Sequence, residues 1–125
     1  MNEHEKLNYV ELPASNLDAT KAFFITAFGW TFEDFGPEYT AFSNQGLAGG
    51  FFRSDLASTT STGGALLVFY SHDLEATQAK IAAAGGRIVK PTFTFPGGRR
   101  FHFTEPSGNE FAVWSDRSPA LAKPD

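Results

Sequence analysis

The chain has 125 residues, 42% of them apolar and 19% charged, which suits one packed domain and leaves no room for a second. Its net charge of −4, with no basic run beyond the Arg99-Arg100 pair, speaks against nucleic-acid binding. Cysteine is absent, which excludes disulfides, thiolate catalysis and Cys-based zinc sites and is compatible with a cytoplasmic protein.

The N-terminal residues Met1-Asn2-Glu3-His4-Glu5-Lys6 are polar, with no apolar stretch after them, so they do not read as a signal peptide. No apolar run approaches the ~20 residues needed to span a bilayer. A soluble protein is expected. Phenylalanine is over-used, at 14 residues, and so short a chain cannot hide every large ring. Some aromatic side chains should therefore line a pocket or a subunit interface.

Residues 7–12 form the first apolar run and read as a strand. Asn16 then offers an N-cap, Asp18 puts negative charge in the first helical turn, and Gly29 stops the helix. Strand-like runs follow at 30–35, 39–43 and 48–52, the last two flanking Asn44-Gln45-Gly46 as a hairpin. Residues 54–63, rich in Ser and Thr, read as a linker.

The order then repeats. A strand at 65–70 precedes a helix capped by Asp73, with Glu75 in its first turn and Gly85-Gly86 at its end. Strands at 87–94, 99–104 and 110–114 follow, with Glu105-Pro106-Ser107-Gly108-Asn109 as a strong turn between the last two. Asn16-Leu17-Asp18-Ala19-Thr20-Lys21-Ala22 resembles Asp73-Leu74-Glu75-Ala76-Thr77-Gln78-Ala79, and the same offset carries Ala27-Phe28-Gly29 onto Ala84-Gly85-Gly86. The chain thus reads as α+β, with two βαβββ modules at about 5–53 and 64–116 forming one domain over 1–116. A loose tail is expected over 117–125.

Three segments carry a family resemblance. Tyr9-Val10-Glu11-Leu12-Pro13-Ala14-Ser15-Asn16-Leu17, Ala27-Phe28-Gly29-Trp30 and Phe103-Thr104-Glu105-Pro106-Ser107-Gly108-Asn109 resemble the vicinal oxygen chelate superfamily, which includes glyoxalase I, extradiol dioxygenases and bleomycin resistance proteins. The resemblance implies a mixed sheet curled into a cup, with helices on its outer face, often completed by a homodimer partner. It also implies a divalent metal held by His and Glu on the cup side. The corresponding positions here are Tyr9, Leu66 and Ala112, with a fourth near Gly49, Gly50 or Phe51. None is a His or a carboxylate, so no metal ligand and no cofactor is expected.

Strand alternation then assigns the cup face. If Tyr9, Leu66 and Ala112 face the cup, so do Glu11, Val68, Tyr70, Glu110 and Trp114, while Val10, Leu12, Leu67, Phe69, Phe111 and Val113 pack under the helices. In the strand at 99–104, Phe101 and Phe103 read as helix-facing, which turns Arg100 and His102 into the cup. Glu11, His102 and Glu110 are the candidate catalytic groups. Tyr9, Phe51, Tyr70, Arg100 and Trp114 are the candidate ligand-binding groups.

Each candidate also has a plainer role open to it. His102 can be a satisfied strand histidine, Trp114 can belong to a dimer seam, and Glu11 and Glu110 can simply pair with Arg100. The leading expectation is a metal-free protein, similar to the bleomycin-resistance branch, that binds a small, partly aromatic molecule in a homodimer. The alternative is a lyase or dioxygenase of the same superfamily with a displaced metal or a metal-free acid–base site. Neither a nucleic acid nor a membrane is an expected partner.

Overall fold

The computed structural model describes residues 2–118. Within it the helix signals act as the sequence predicts. Asn16 is extended and its side chain accepts from Ala19 N at 3.0 Å, opening α1 (Leu17–Phe28). Gly29 closes α1 at φ 71°, the left-handed conformation glycine adopts without steric cost, and its N–H donates to Ile25 O at 2.9 Å. Asp73 opens α2 (Leu74–Ala83) in the same way, by accepting from Ala76 N at 3.2 Å.

The strands are β1 (Tyr9–Ala14), β2 (Phe32–Asp34), β3 (Tyr39–Phe42), β4 (Ala48–Arg53), β5 (Leu67–Tyr70), β6 (Arg87–Phe95), β7 (Gly98–Thr104) and β8 (Glu110–Ser115). They form two four-stranded sheets, ordered β1-β4-β3-β2 and β5-β8-β7-β6. In each, the first strand runs parallel to the fourth and the other pairs are antiparallel. The α+β class and the doubled βαβββ unit are therefore both present. No described helix is long and apolar enough to cross a membrane.

The core lies between the sheets, around α1. Phe24 is completely buried and touches Phe51 of the first sheet at 5.7 Å and Phe111 of the second at 5.5 Å between ring centroids. Trp30 stacks on Phe24 at 4.4 Å, and Phe23 packs on Phe103 at 5.8 Å. Val10, Leu12, Phe69, Phe101, Phe103, Phe111 and Val113 all belong to this core, as their alternation requires. Both sheets thus present their apolar faces to the same helix. Their other faces point away from it.

The Glu105–Asn109 turn ties the modules together. Asn109 is fully buried; its Nδ2 donates to Pro13 O at 2.7 Å and to Glu105 Oε2 at 2.8 Å, and its Oδ1 accepts from Ser58 N at 2.8 Å. Glu105 also accepts from Thr20 Oγ1 at 2.6 Å and Ser107 N at 3.0 Å. Burial pushes the Glu105 carboxyl above the usual range, although these hydrogen bonds oppose the rise. The segment expected as a linker is therefore anchored, and one 3-10 turn forms in it at Thr60–Thr62. Beyond Ser118, the expected tail lies outside the described residues.

Asn109→Ala removes bonds to β1, to the Ser54–Gly64 segment and to Glu105 at once, and leaves buried partners unsatisfied. A loss of about 2–4 kcal/mol in unfolding free energy is expected in urea denaturation. A loss below about 1 kcal/mol would contradict the role given to this turn.

Candidate functional site

The polar face of each sheet carries its own cluster. On the first sheet, Tyr9, Glu11 and Tyr39 form a chain of hydrogen bonds. Tyr39 donates to Glu11 Oε2 at 2.9 Å, which uses its only hydrogen, so Tyr9 donates to the Tyr39 oxygen at 2.6 Å. Burial first, then the bonds to Tyr9 and Glu11, hold the Tyr39 phenol well above the ordinary tyrosine range. The Tyr39 ring fits because Gly50 lies beneath it; a Cβ at Gly50 would overlap the phenol.

On the second sheet, Arg100 and His102 of β7 share a face with Glu110, Ala112 and Trp114 of β8, as the register Arg100–Trp114 and His102–Ala112 dictates. His102 Nδ1 lies 2.7 Å from Glu110 Oε2. A carboxylate only accepts, so Nδ1 carries the hydrogen. Glu110 Oε1 accepts from Thr60 N at 2.8 Å and Thr60 Oγ1 at 2.9 Å. Burial pushes the Glu110 carboxyl up, but the bonds from His102 and Thr60 outweigh it and hold the group below the usual range.

Two nitrogens on this face are buried without a hydrogen-bond partner among the described residues, His102 Nε2 and Arg100 Nε. His102 itself is 4% exposed. The Arg100 guanidinium lies over the rings of Phe93 and Phe95 at 5.3 and 5.7 Å, and Tyr70 packs edge-on to Trp114 at 5.2 Å. The face thus combines aromatic walls with a few convergent polar groups.

Most candidate residues fall on the expected side of their strands, but on two separate faces. Tyr9 and Glu11 stand on the first sheet, and Tyr70, Arg100, His102, Glu110 and Trp114 on the second. Phe51 lies apart from both clusters, fully buried in the core against Phe24 and Phe42, and Gly50 is the outward residue of β4. One expectation is corrected. Neither carboxylate pairs with Arg100; Glu11 is held by Tyr39, and Glu110 by His102 and Thr60.

Tyr39, Thr60 and Phe93 were not among the candidates. Tyr39 is signalled by the period of two along β3 and by the Gly49-Gly50 pair opposite it. Thr60 carries no local signal, since a loop brings it to Glu110.

An apolar groove of about 440 Å³ opens between the sheets, lined among others by Leu12, Trp30, Phe42, Phe51, Phe111 and Tyr70. It is a gap in the core beside β1 and β5. No charged side chain lines it.

The model of one protein family, described as the Glyoxalase/Bleomycin resistance protein/Dioxygenase superfamily, matches residues 6–113. The chain belongs to this superfamily. No curated protein matches it. Among solved structures it is similar to a glyoxalase/bleomycin resistance protein/dioxygenase family enzyme from Burkholderia phytofirmans PsJN, with a TM-score of 0.74 and 16% identity over 90% of this chain and 99% of that one. A glyoxalase-related enzyme from Fulvimarina pelagi gives 0.70 and 19%, covering 89% and 88% of the two chains. A lactoylglutathione lyase from Agrobacterium tumefaciens gives 0.68 and 19%, covering 91% and 96%. At such identities these likenesses concern the fold.

The superfamily's metal does not fit the residues present. Leu66 and Ala112 supply no donor atom, Gly50 has no side chain, and the Tyr9 phenol is engaged with Tyr39. Within one chain Glu11, His102 and Glu110 do not gather either, since Glu11 stands on the first sheet and the other two on the second. Among the described residues no three His, Cys, Asp or Glu side chains gather as a metal site.

The Glu110–His102 pair has a pH signature. A carboxylate whose folded pKa is depressed adds stability that is present above its ordinary value of 4.5 and is lost as pH falls through the folded value. Glu110→Gln should therefore lower unfolding free energy at neutral pH by about 1.5–3 kcal/mol. Its stability should also fall less steeply than wild type as pH drops below 4.5, read by urea melts across the acid range. Parallel wild-type and variant curves would contradict the pairing.

Proposed function

We propose that this protein binds a small, partly aromatic molecule without the superfamily's metal, in a homodimer that sets the first sheet of one chain against the second sheet of its partner. The observation that carries this reading is the pair of buried, unpartnered nitrogens, His102 Nε2 and Arg100 Nε, set among Phe93, Phe95, Tyr70 and Trp114. Buried donors and acceptors without partners are costly, so a site that keeps them has a use for them. A ligand that hydrogen-bonds there and stacks on the rings satisfies both halves of the site.

The dimer follows from exposure. β1 and β5 each have one edge free of strand partners, and Tyr9, Val68 and Tyr70 on them are 45%, 46% and 45% exposed. Such edges are normally covered, and exposed aromatic and branched side chains mark interfaces. A partner docked there would bring a Tyr9–Tyr39–Glu11 cluster opposite an Arg100–His102–Glu110 cluster. The cytoplasm, where a chain without cysteine loses nothing, is the proposed location.

The His102–Glu110 geometry also favours a second reading, a metal-free acid–base enzyme. Glu110 fixes the Nδ1 hydrogen and leaves Nε2 to take or give a proton. Turnover of a bound compound that disappears in His102→Gln while binding persists would select this reading.

Isothermal titration of a broad panel of aromatic compounds and antibiotics, with sedimentation analysis, tests the main proposal. A dimer that binds at least one compound is expected, with Trp114→Ala weakening it by about tenfold or more through lost ring contact. No binding across the panel, or binding by a monomer, would contradict it.

A further inference from the structure

The second sheet's outer face also says what kind of molecule belongs there, given the binding reading above. Three nitrogen-bearing side chains gather around one ring. Lys90 Nζ lies 4.9 Å and Arg100 Cζ 5.3 Å from the centroid of Phe93, and the His102 ring packs on Phe93 at 6.0 Å. Glu110, on the neighbouring strand, accepts from His102 and Thr60 and not from Arg100 or Lys90. Neither Lys90 nor Arg100 has a carboxylate partner among the described residues, in a chain whose net charge is −4.

In an acidic protein, cations usually find carboxylates. Here two of them rest on an aromatic ring, and Arg100 Nε is buried without an acceptor. The neighbouring His102 Nε2, in a residue 4% exposed, is likewise unpartnered. Arg100 and His102 stand two residues apart on one strand face, about 6.5–7 Å along the chain. Such an arrangement has an excess of donors and of positive charge, next to the flat surfaces of Phe93 and Phe95. We infer that the ligand is an aromatic anion whose acidic oxygen group, a carboxylate or its equivalent, is received by Arg100 with Lys90 at the rim, while its ring lies on the aromatic wall and His102 Nε2, an acceptor, is left to a donor group of the ligand.

A matched pair of probes isolates the charge. Cinnamate and cinnamyl alcohol share a skeleton and differ in the anionic group. Titrated into the wild-type protein, cinnamate is expected to bind about 10- to 100-fold more tightly than the alcohol, the range of a charge-assisted hydrogen bond. Arg100→Gln should weaken cinnamate far more than the alcohol and so remove most of that preference. The wild-type comparison stands even if the variant folds poorly.

Equal affinity for the two probes, or cinnamate affinity unchanged in Arg100→Gln, overturns the inference and leaves the binding reading intact. Failure of both probes overturns it as well, and the broader aromatic panel then decides whether the binding reading falls with it.

Discussion

Phe24 touches both sheets, and much else follows from that contact. Because one helix carries rings that serve two sheets, the apolar sides of both sheets must turn toward it. Each buried Phe contributes about 1.5–3 kcal/mol by leaving water, so the arrangement is strongly favoured over one that exposes either face. The polar faces are then obliged to look away from the shared core. A single chain presents two separate polar faces.

That constraint explains why the candidate residues split into two clusters with different chemistry. The first face is a hydrogen-bonded phenol–phenol–carboxylate chain whose members satisfy one another. The second is an incomplete set, with two buried nitrogens lacking partners and two cations resting on a ring. In the proposed dimer, the internally satisfied face of one chain would meet the unsatisfied face of its partner. The Glu105–Asn109 turn holds their relative placement, since Asn109 bonds β1 of one module from the start of β8 of the other.

The strand alternation was legible because one face of each strand is buried. Val10 and Leu12 against Tyr9 and Glu11, or Phe101 and Phe103 against Arg100 and His102, leave no doubt of register. It left β4 open among Gly49, Gly50 and Phe51, since the two glycines carry no side chain to reveal a face, and Gly50 holds the outward place. Pairings across elements were not legible. Glu110 found His102 and Thr60 rather than Arg100 because a loop delivers Thr60, and Phe93 meets Arg100 only after irregularities in β6 shift its register. Such contacts depend on three-dimensional placement that no local pattern encodes. The missing metal ligands, by contrast, were visible at once, as Leu66 and Ala112 carry no donor.

Mixing two binding-deficient chains tests most directly whether each site is shared between subunits. One chain carries Tyr39→Ala and the other Arg100→Ala, each alone failing to bind a compound that the wild type takes up. If sites form from the first sheet of one chain and the second sheet of its partner, a mixed dimer holds one intact site and one doubly altered site. Binding should then return at wild-type affinity with half the wild-type stoichiometry in the purified mixed dimer. No recovery of binding on mixing would contradict the account.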